Sequence, residues 1–350
     1  MTERYAAQAL IDYAEALFVG AGLPADKAAL VAPLMVEADL MGHTTHGLQL
    51  VGAYLAALKD GSMTATGMPE VLSDRGPVVV WDGMRLSGVW LTASAVDLAV
   101  ERARRYGTCT VSIRRSHHIA CLAAFLQRAT DEGMMVTLTC SDPAVASVAP
   151  FGGTRAIYTP DPMAVGIPTS GDPILIDISA SITTNGLTNR LHKEGRTLEH
   201  PWLIDAEGNP SKDPAVLFTD PPGTILPVGG LDHGHKGYGL ALIVEALTQG
   251  LSGHGRADPP EGWGASIWVQ VQDPTAFAGA DAFSRQTDRL VELCRTNPPR
   301  PGVDAVRLPG DGALARKRAA LAEGVALYPG IMEGLAEWAG KLGVTPPAPL

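Results

Sequence analysis

Residues 108–118 read Thr-Cys-Thr-Val-Ser-Ile-Arg-Arg-Ser-His-His and join a short apolar run to a group of polar side chains. The first six residues are rich in β-branched side chains, which predicts a strand. The polar residues 114–118 precede an apolar-periodic stretch, which predicts a helix that contains Cys121 and ends at Gly133. Because ligand sites of α/β sheets gather where strands end, this junction is a candidate active site.

Strand-like and helix-like segments continue on both sides of this junction. Further strands are predicted by apolar runs at 77–81, 134–140, 163–167, 174–178 and 266–271. Helical periodicity occurs within the first 60 residues, over about 90–106, from 237 to about 250 and after about 280. No Gly-x-Gly-x-x-Gly motif follows a predicted strand, so a Rossmann-type dinucleotide fold is not indicated.

This order of elements predicts an α/β protein with two domains. A mixed-sheet domain over residues 120–284 is inserted into a mainly helical domain, which the chain ends form from residues 1–119 and 285–350. The length of 350 residues is about that of two domains. Hydrophobic residues make up 46% of the chain and charged residues 18%, so we expect a folded protein rather than a disordered one.

Charge and cysteine content narrow the expected partners and location. The chain carries 27 Lys and Arg against 37 Asp and Glu, a formal net charge of −10, which repels nucleic acid and anionic membranes. The four cysteines form no Cys-x-x-Cys pair and are interpreted as reduced thiols. The amino terminus does not resemble a secretory signal, and no apolar run has the length of a membrane span. We therefore expect a cytoplasmic protein with no membrane or nucleic-acid partner.

Histidines supply the first candidate chemistry. His117 and His118 follow the predicted strand, where a histidine can act as a general acid or base near neutral pH. Adjacent side chains point in different directions, so we expect only one of the two to serve catalysis. Arg114 and Arg115 add positive charge beside them. A polar surface turn is an alternative interpretation of the same residues.

A second histidine pair lies in residues 42–47, Gly-His-Thr-Thr-His-Gly. On a helix, His43 and His46 would share one face. Together with the pair at 117–118 they would then form the zinc site of a metal-dependent hydrolase or lyase. The segment lacks the Glu of a His-Glu-x-x-His site, and no cysteine is suitably spaced. Polar capping at a helix boundary is therefore favoured, and no metal ligands are predicted.

Three further places suit a ligand: the start of a helix suits an anionic one, and the ends of two strands suit one with mixed donors and acceptors. Residues 234–239, Gly-His-Lys-Gly-Tyr-Gly, open a predicted helix, whose amino terminus and Lys236 attract phosphate or carboxylate. Two predicted strands end in hydroxyl and carboxylate groups, one at residues 141–142 and one at residues 177–179, a combination that suits ribose or amide recognition. Taken singly, each of these strand ends is better explained by ordinary turn chemistry, which favours Asp, Ser and Pro.

Taken in order, these segments resemble the malate/L-lactate dehydrogenase family, which also includes ureidoglycolate dehydrogenase and cyclic-imine reductases. The resemblance spans nearly the whole chain. It is carried by residues 42–47, by His118 with the two residues after it, by Pro-Phe-Gly-Gly at 150–153, by Ile-Asp-Ile-Ser at 176–179 and by Lys-Gly-Tyr-Gly-Leu at 236–240. With an apolar Leu50 and the paired histidines, the chain looks closest to the hydroxycarboxylate dehydrogenase branch.

The resemblance implies an oxidoreductase that transfers a hydride between a nicotinamide cofactor, NAD or NADP, and a 2-hydroxy acid/2-oxo acid pair. A cyclic-imine (ketimine) reductase on the same scaffold is the alternative. The resemblance also implies a non-Rossmann cofactor domain and a homodimer with the site near the subunit interface. The sequence does not choose between NAD and NADP, because it has no Rossmann glycine motif from which an acidic residue could be counted.

The resemblance further implies roles for individual residues. His118 is the expected acid/base, with His46 beside it. The expected substrate contacts are Thr45, Arg114, Arg115, His117 and Asp142. The expected cofactor contacts are Ser141, Asp177, Ile178, Ser179, Lys236 and Gly237.

Two departures from the family pattern bear on these roles. The arginine that the family places four residues after the second histidine of residues 42–47, usually thought to hold the substrate carboxylate, is Leu50 in this chain. A bidentate anchor is therefore missing, and Arg114 or Arg115 is expected to replace it. In addition, Leu187 stands where the family has a lysine.

Overall fold

The structure, a computed structural model, describes residues 3–350. Its strands are β1 (Arg4–Tyr5), β2 (Glu70–Asp74), β3 (Val78–Asp82), β4 (Thr108–Ser116), β5 (Met135–Ser141), β6 (Pro162–Ile167), β7 (Ile174–Ser179), β8 (Leu203–Ile204), β9 (Pro210–Ser211), β10 (Thr224–Ile225), β11 (Ala265–Gln272) and β12 (Val325–Ala326). Its helices are α1 (Ala7–Gly20), α2 (Ala25–Met41), α3 (Val51–Asp60), α4 (Gly88–Tyr106), α5 (Gln127–Thr130), α6 (Asn185–Lys193), α7 (Gly230–His233), α8 (His235–Glu245), α9 (Ala280–Arg295), α10 (Asp311–Glu323) and α11 (Ile331–Leu342). These elements confirm the predicted α/β class.

Seven strands form one mixed sheet in the order β2-β3-β4-β11-β5-β6-β7. β3 and β4 are parallel and are connected through α4, whereas the other neighbours are antiparallel. Ala265 pairs with Ser116, and Ser266 pairs with Ser141. The first residues of β11 therefore lie beside the last residues of β4 and β5. β7 runs parallel to β5 and ends at the same edge. This edge therefore collects the residues that follow β4, β5 and β7.

The centre of the sheet is strongly apolar. Alternate residues of β11, among them Ile267, Val269 and Val271, are fully buried. α4 crosses one face of the sheet and buries a row of small residues, Ala95, Ala99 and Ala103, which allows the helix to approach the strands closely. β11 is thereby held between two strands and beneath a helix.

Both chain ends join the same helical layer, as the sequence predicts. β1 pairs with β12, and α1 packs against α2 and α11. The larger hydrophobic core combines these helices with the central strands, and a smaller core forms around Val148, Tyr158 and Leu203. The sheet runs across the proposed boundary after residue 119, because strands on both sides of it pair with β11. The limits of the two domains therefore remain a prediction.

Three local predictions are corrected by the structure. β4 continues through the polar residues as far as Ser116, where the prediction ended the strand at Ile113. Residues 43–46 form a turn rather than a helix, because Gly42, with a φ of 90°, ends α2 in the left-handed region. The helix predicted over residues 121–133 is divided into a short 3₁₀ segment and α5. Among residues 3–350, no helix is both long and apolar enough to span a bilayer.

A buried carboxylate fixes the ends of β3 and β4 to each other. Asp82, which is fully buried, accepts hydrogen bonds from Nε of Arg114 at 2.9 Å and from Nε of Arg115 at 2.8 Å. It also accepts the N–H of Met84 at 3.0 Å. Arg115 has a φ of 50°, which turns its side chain to the same carboxylate as its neighbour. Both arginines that are expected to hold the substrate carboxylate are thus bonded to a carboxylate of the protein itself.

Replacing this carboxylate should destabilise the fold more than replacing an exposed one. We expect Asp82→Ala to lower the free energy of unfolding by about 2 kcal/mol, because it leaves two guanidinium groups without their partner; their partial exposure keeps the loss below that of a fully buried pair. The control is Asp74→Ala, which removes the more exposed partner of Arg102 and should cost about 0–1 kcal/mol. Urea denaturation measures both, and equal losses would contradict the assignment.

Candidate active site

His118 lies at the strand-end edge, held by side chains from two distant segments. Its Nδ1 shares a hydrogen bond of 2.7 Å with the hydroxyl of Tyr54 on α3. The N–H of Ala120 points at the same nitrogen from 3.3 Å. The indole of Trp263 stacks on the imidazole with ring centroids 4.5 Å apart. The ring orientation is therefore fixed through Nδ1 and one face, and Nε2 is the nitrogen left for a ligand.

His46 faces His118 from the turn that follows α2. The two imidazoles are stacked with centroids 6.2 Å apart. Thr45 shares a hydrogen bond of 2.8 Å with Nδ1 of His46. The start of α6 closes over this turn, since a methyl group added at Gly186 would lie 3.3 Å from Cβ of Thr45. The structure thus brings three predicted site residues, His118, His46 and Thr45, to one place.

Burial controls the charge of this pair. Desolvation lowers the pKa of His118 well below 6.5, and neighbouring His46 and His117 lower it further. Burial also lowers the pKa of His46 to about 4, with smaller contributions from His43 and Arg190. Both imidazoles are therefore neutral at pH 7, and a neutral imidazole can accept a proton.

His117 has a different environment from its neighbour. The ring is only 1% exposed and lies edge-on against Tyr54 and Trp263. Its Nδ1 is buried without a hydrogen-bond partner among residues 3–350. His117 is therefore packed behind the two aromatic rings, and its contact with substrate stays a prediction. The two adjacent histidines thus have different surroundings, and the expectation that only one of them serves catalysis stays a prediction.

Ser141, the last residue of β5, and Asp142, which follows it, contribute to the site indirectly. The hydroxyl of Ser141 is buried and bonds with Thr248 at 2.7 Å and with Gln249 at 3.0 Å. Asp142 accepts the N–H of Ala144 at 2.9 Å and that of Gly264 at 3.3 Å. Ser141 therefore anchors the segment after α8 to the sheet. Asp142 helps to place the residue next to Trp263.

The predicted cofactor residues of β7 and α8 do converge. The start of α8 is packed directly against the residue that follows β7. A methyl group added at Gly237 would lie only 2.5 Å from the carbonyl oxygen of Ala180, which leaves no room for a side chain. Lys236 is exposed beside this contact, and Ile178 is 48% exposed. The hydroxyl of Ser179 donates to the carbonyl of Ser181 at 2.7 Å. An exposed apolar side chain, a lysine and a helix amino terminus thus share one surface.

Asp177 is directed away from that surface. One carboxylate oxygen accepts the N–H of Ala123 at 2.9 Å and lies 3.9 Å from Sγ of Cys121. It therefore connects β7 to the segment that follows His118. The proposed four-histidine metal site is not formed: within residues 3–350 the ligand atoms that lie together belong to His43, Cys121 and Asp177.

Three contributors to the site were missed from the sequence. Tyr54 occurs within a helical apolar face and reads as core, although a buried tyrosine hydroxyl needs a partner, and this was the available signal. Trp263 lies in a glycine-rich loop, where nothing local indicates its target. Arg190 donates to the hydroxyl of Thr44 at 3.0 Å and stacks on Tyr328, which secures the histidine turn from the side of α6.

Comparison with known proteins identifies the family to which this arrangement belongs. Residues 5–336 match the family model described as malate/L-lactate dehydrogenase. The chain belongs to this family. The match covers both the helical chain ends and the sheet, and the predicted resemblance is confirmed.

Individual relatives cover nearly the whole chain. An L-lactate dehydrogenase of Cupriavidus necator is 32% identical over 332 residues, which cover 93% of this chain and 94% of the relative. Hydroxycarboxylate dehydrogenase B of Escherichia coli O157:H7 is 28% identical over 349 residues, which cover 97% of this chain and 95% of the relative. The crystal structure of Δ1-piperideine-2-carboxylate reductase from Pseudomonas syringae superposes with a TM-score of 0.83 at 27% identity, covering 97% of this chain and all of that one. These relatives support an oxidoreductase of the hydroxy acid type.

Acid should destabilise this family member through its buried histidines. The unfolded chain takes up protons on histidine near pH 6.5, whereas the folded state resists protonation of His46 down to about pH 4. Within this window the unfolded state binds more protons, so the free energy of unfolding falls as the pH falls.

A histidine variant tests this explanation. Between pH 7.5 and 5.0, we expect His46→Gln to lose about 2 kcal/mol less stability than the wild type, because one buried titratable group is gone. His200→Gln changes an exposed histidine and should lose as much as the wild type. Urea denaturation at both pH values measures the difference. Identical losses in all three proteins would show that His46 does not carry the effect.

Proposed function

We propose that this protein is an NAD(P)-dependent oxidoreductase that interconverts a 2-hydroxy acid and the corresponding 2-oxo acid, with His118 as acid/base. The observation that carries the proposal is the hydrogen bond between the hydroxyl of Tyr54 and Nδ1 of His118, which fixes the ring and leaves Nε2 for a ligand. The substrate is a small molecule. Its identity and the choice between NAD and NADP are left to experiment.

The chain's own residues can supply the proton transfer of this reaction. Oxidation of a 2-hydroxy acid requires the tautomer in which Nδ1 of His118 carries the proton and donates to the oxygen of Tyr54, so that the N–H of Ala120 no longer bonds to this nitrogen and Nε2 has a free lone pair. Nε2 can then take the hydroxyl proton of a 2-hydroxy acid, and the resulting imidazolium remains bonded to Tyr54. In the reverse direction the same Nε2–H returns the proton to the oxygen of a 2-oxo acid. Trp263 covers one face of the ring and limits its contact with water.

The surface shared by β7 and α8 fits a dinucleotide. Lys236 is exposed in the first turn of an eleven-residue helix, where its charge and the helix dipole favour phosphate. Exposed Ile178 and Leu187 offer apolar contact, and the buried hydroxyl of Thr183 lacks a partner among residues 3–350. When bound, a nicotinamide ring supplies the hydride acceptor or donor of the reaction. We propose Ile178, Ser179, Lys236 and Gly237 as the residues that form this surface.

A cyclic-imine reductase is the second candidate. It is favoured by the 27% identity to Δ1-piperideine-2-carboxylate reductase over nearly the full length. The same proton-donating Nε2 would serve the imine nitrogen. Comparing rates with 2-oxo acids and with cyclic imines distinguishes the two functions.

We further propose a cytoplasmic homodimer. Leu242 and Ile243 on α8 are each about half exposed and offer an apolar surface to a second copy. The four cysteines are unpaired in the described chain, which suits a reducing compartment.

Removal of the acid/base should abolish turnover without removing the cofactor. We expect His118→Gln to lower kcat about 10²–10⁴-fold on the best substrate of a panel of 2-hydroxy acids, 2-oxo acids and cyclic imines. Tyr54→Phe should lower kcat less, because the imidazole remains but loses its orientation. The exposed His200→Gln serves as the control.

Cofactor binding separates catalysis from folding in this experiment. Fluorescence titration with NADH and with NADPH should give the same affinity for His118→Gln as for the wild type. Wild-type turnover in His118→Gln would refute the role of this residue. Failure of the folded wild type to bind either cofactor would refute the proposed function.

The pH profile gives an independent test of the base. In the free enzyme, burial keeps the pKa of His118 well below 6.5, so the unprotonated form persists from pH 8 to below pH 6.5. We therefore expect kcat/KM for oxidation of the 2-hydroxy acid to be constant from pH 8 to 6.5 and to fall only at more acidic pH. Steady-state kinetics measures the profile, and an inflection at or above pH 7 would contradict this assignment.

A further inference from the structure

Three side chains from separate segments place a nitrogen, a sulfur and an oxygen together beside the histidine pair. His43 lies in the turn after α2, Cys121 follows β4, and Asp177 lies on β7. One ligand atom from each residue lies within 4.8 Å of those from the other two. No other group of three such residues in the described range 3–350 meets this condition. The cluster depends on the tertiary structure, since its members are distant in the sequence.

We propose that His43, Cys121 and Asp177 bind a divalent cation of the zinc class. Imidazole, thiolate and carboxylate are the protein ligands that Zn²⁺ takes, and three of them leave a fourth position for water. Around a tetrahedral zinc ion, a sulfur and a carboxylate oxygen are about 3.6 Å apart. The observed distance from Sγ of Cys121 to Oδ2 of Asp177 is 3.9 Å. For this pair of ligand atoms, only a small adjustment is therefore required, and the His43 nitrogen lies within 4.8 Å of both.

The potential ligand atoms of His43 and Asp177 are not all used in hydrogen bonds, so they can bind an ion. The ring of His43 makes no side-chain hydrogen bond to the described residues 3–350, and the second oxygen of Asp177 makes none either. Cys121 is buried, whereas His43 and Asp177 are partly exposed, so an ion can enter from their side. Binding forms a metal–sulfur bond and releases the thiol proton to solvent.

The site is separate from the histidines that we assign to proton transfer. His43 precedes His46 by three residues, and Cys121 follows His118 by three residues. A bound ion would therefore join the two segments that carry the catalytic pair and fasten both to β7. Because an ion that binds only the folded state stabilises it, occupancy should raise the melting temperature. This inference rests on geometry and does not depend on the proposed dehydrogenase activity.

Metal titration of the full chain tests the site. The protein is treated with EDTA, dialysed, and titrated with CoCl₂ and separately with ZnCl₂. We expect one Co²⁺ per chain, with a thiolate-to-cobalt charge-transfer band, and a rise in melting temperature of about 2 °C or more at saturating Zn²⁺. Cys121→Ser should remove the charge-transfer band, and both Cys121→Ser and His43→Asn should weaken Zn²⁺ binding at least tenfold.

Matched variants keep the result interpretable. Cys140→Ser removes another thiol, on β5, and His46→Gln removes the neighbouring histidine; both should bind Zn²⁺ as the wild type does. His43 is partly exposed, so His43→Asn provides a test even if Cys121→Ser does not fold. The proposal is overturned if the folded wild type binds no metal or if His43→Asn binds it with unchanged affinity. It is also overturned if His46→Gln abolishes binding, since the ion would then lie between the catalytic rings.

Discussion

The pairing of β11 with both β4 and β5 is the constraint on which the rest of the structure depends. This strand comes late in the chain, yet it occupies the centre of the sheet and is almost entirely buried. Its antiparallel register brings the ends of the two neighbouring strands to one edge. The residue two positions before it, Trp263, is thereby placed on the ring of His118. The strand pairing that completes the sheet therefore also places Trp263 in the candidate site.

The chemistry of the site follows from how little water reaches it. A tyrosine from α3 and an indole from the loop before β11 surround an imidazole whose proton affinity is reduced by burial. A neutral histidine with one nitrogen anchored is suited to accept a proton at the other. The cationic side chains nearby in the sequence, Arg114 and Arg115, both bond to Asp82 and so fasten β3 to β4, while their contact with substrate stays a prediction.

The segment around residues 42–47 shows where prediction from sequence stops. Helical spacing of His43 and His46 predicts a shared face, and the alternative of a four-histidine metal site depended on it. A left-handed glycine ends α2 and turns the two imidazoles to different neighbours. His46 stacks on His118, whereas His43 joins Cys121 and Asp177. The spacing of cysteines in the sequence excluded them as ligands, because spacing does not report contacts between distant segments.

The sequence by itself determined the α/β class, most of the strands and helices, and membership of the malate/L-lactate dehydrogenase family. These properties depend on local periodicity and on short motifs, which can be read along the chain. Only the tertiary structure decided that Tyr54 holds His118, that His117 is buried against Tyr54 and Trp263 and that Asp82 engages both arginines. The physical reason is that each of these contacts joins segments that are distant in the sequence. Strand register and backbone turns bring such segments together, and the residues of one segment alone do not encode them.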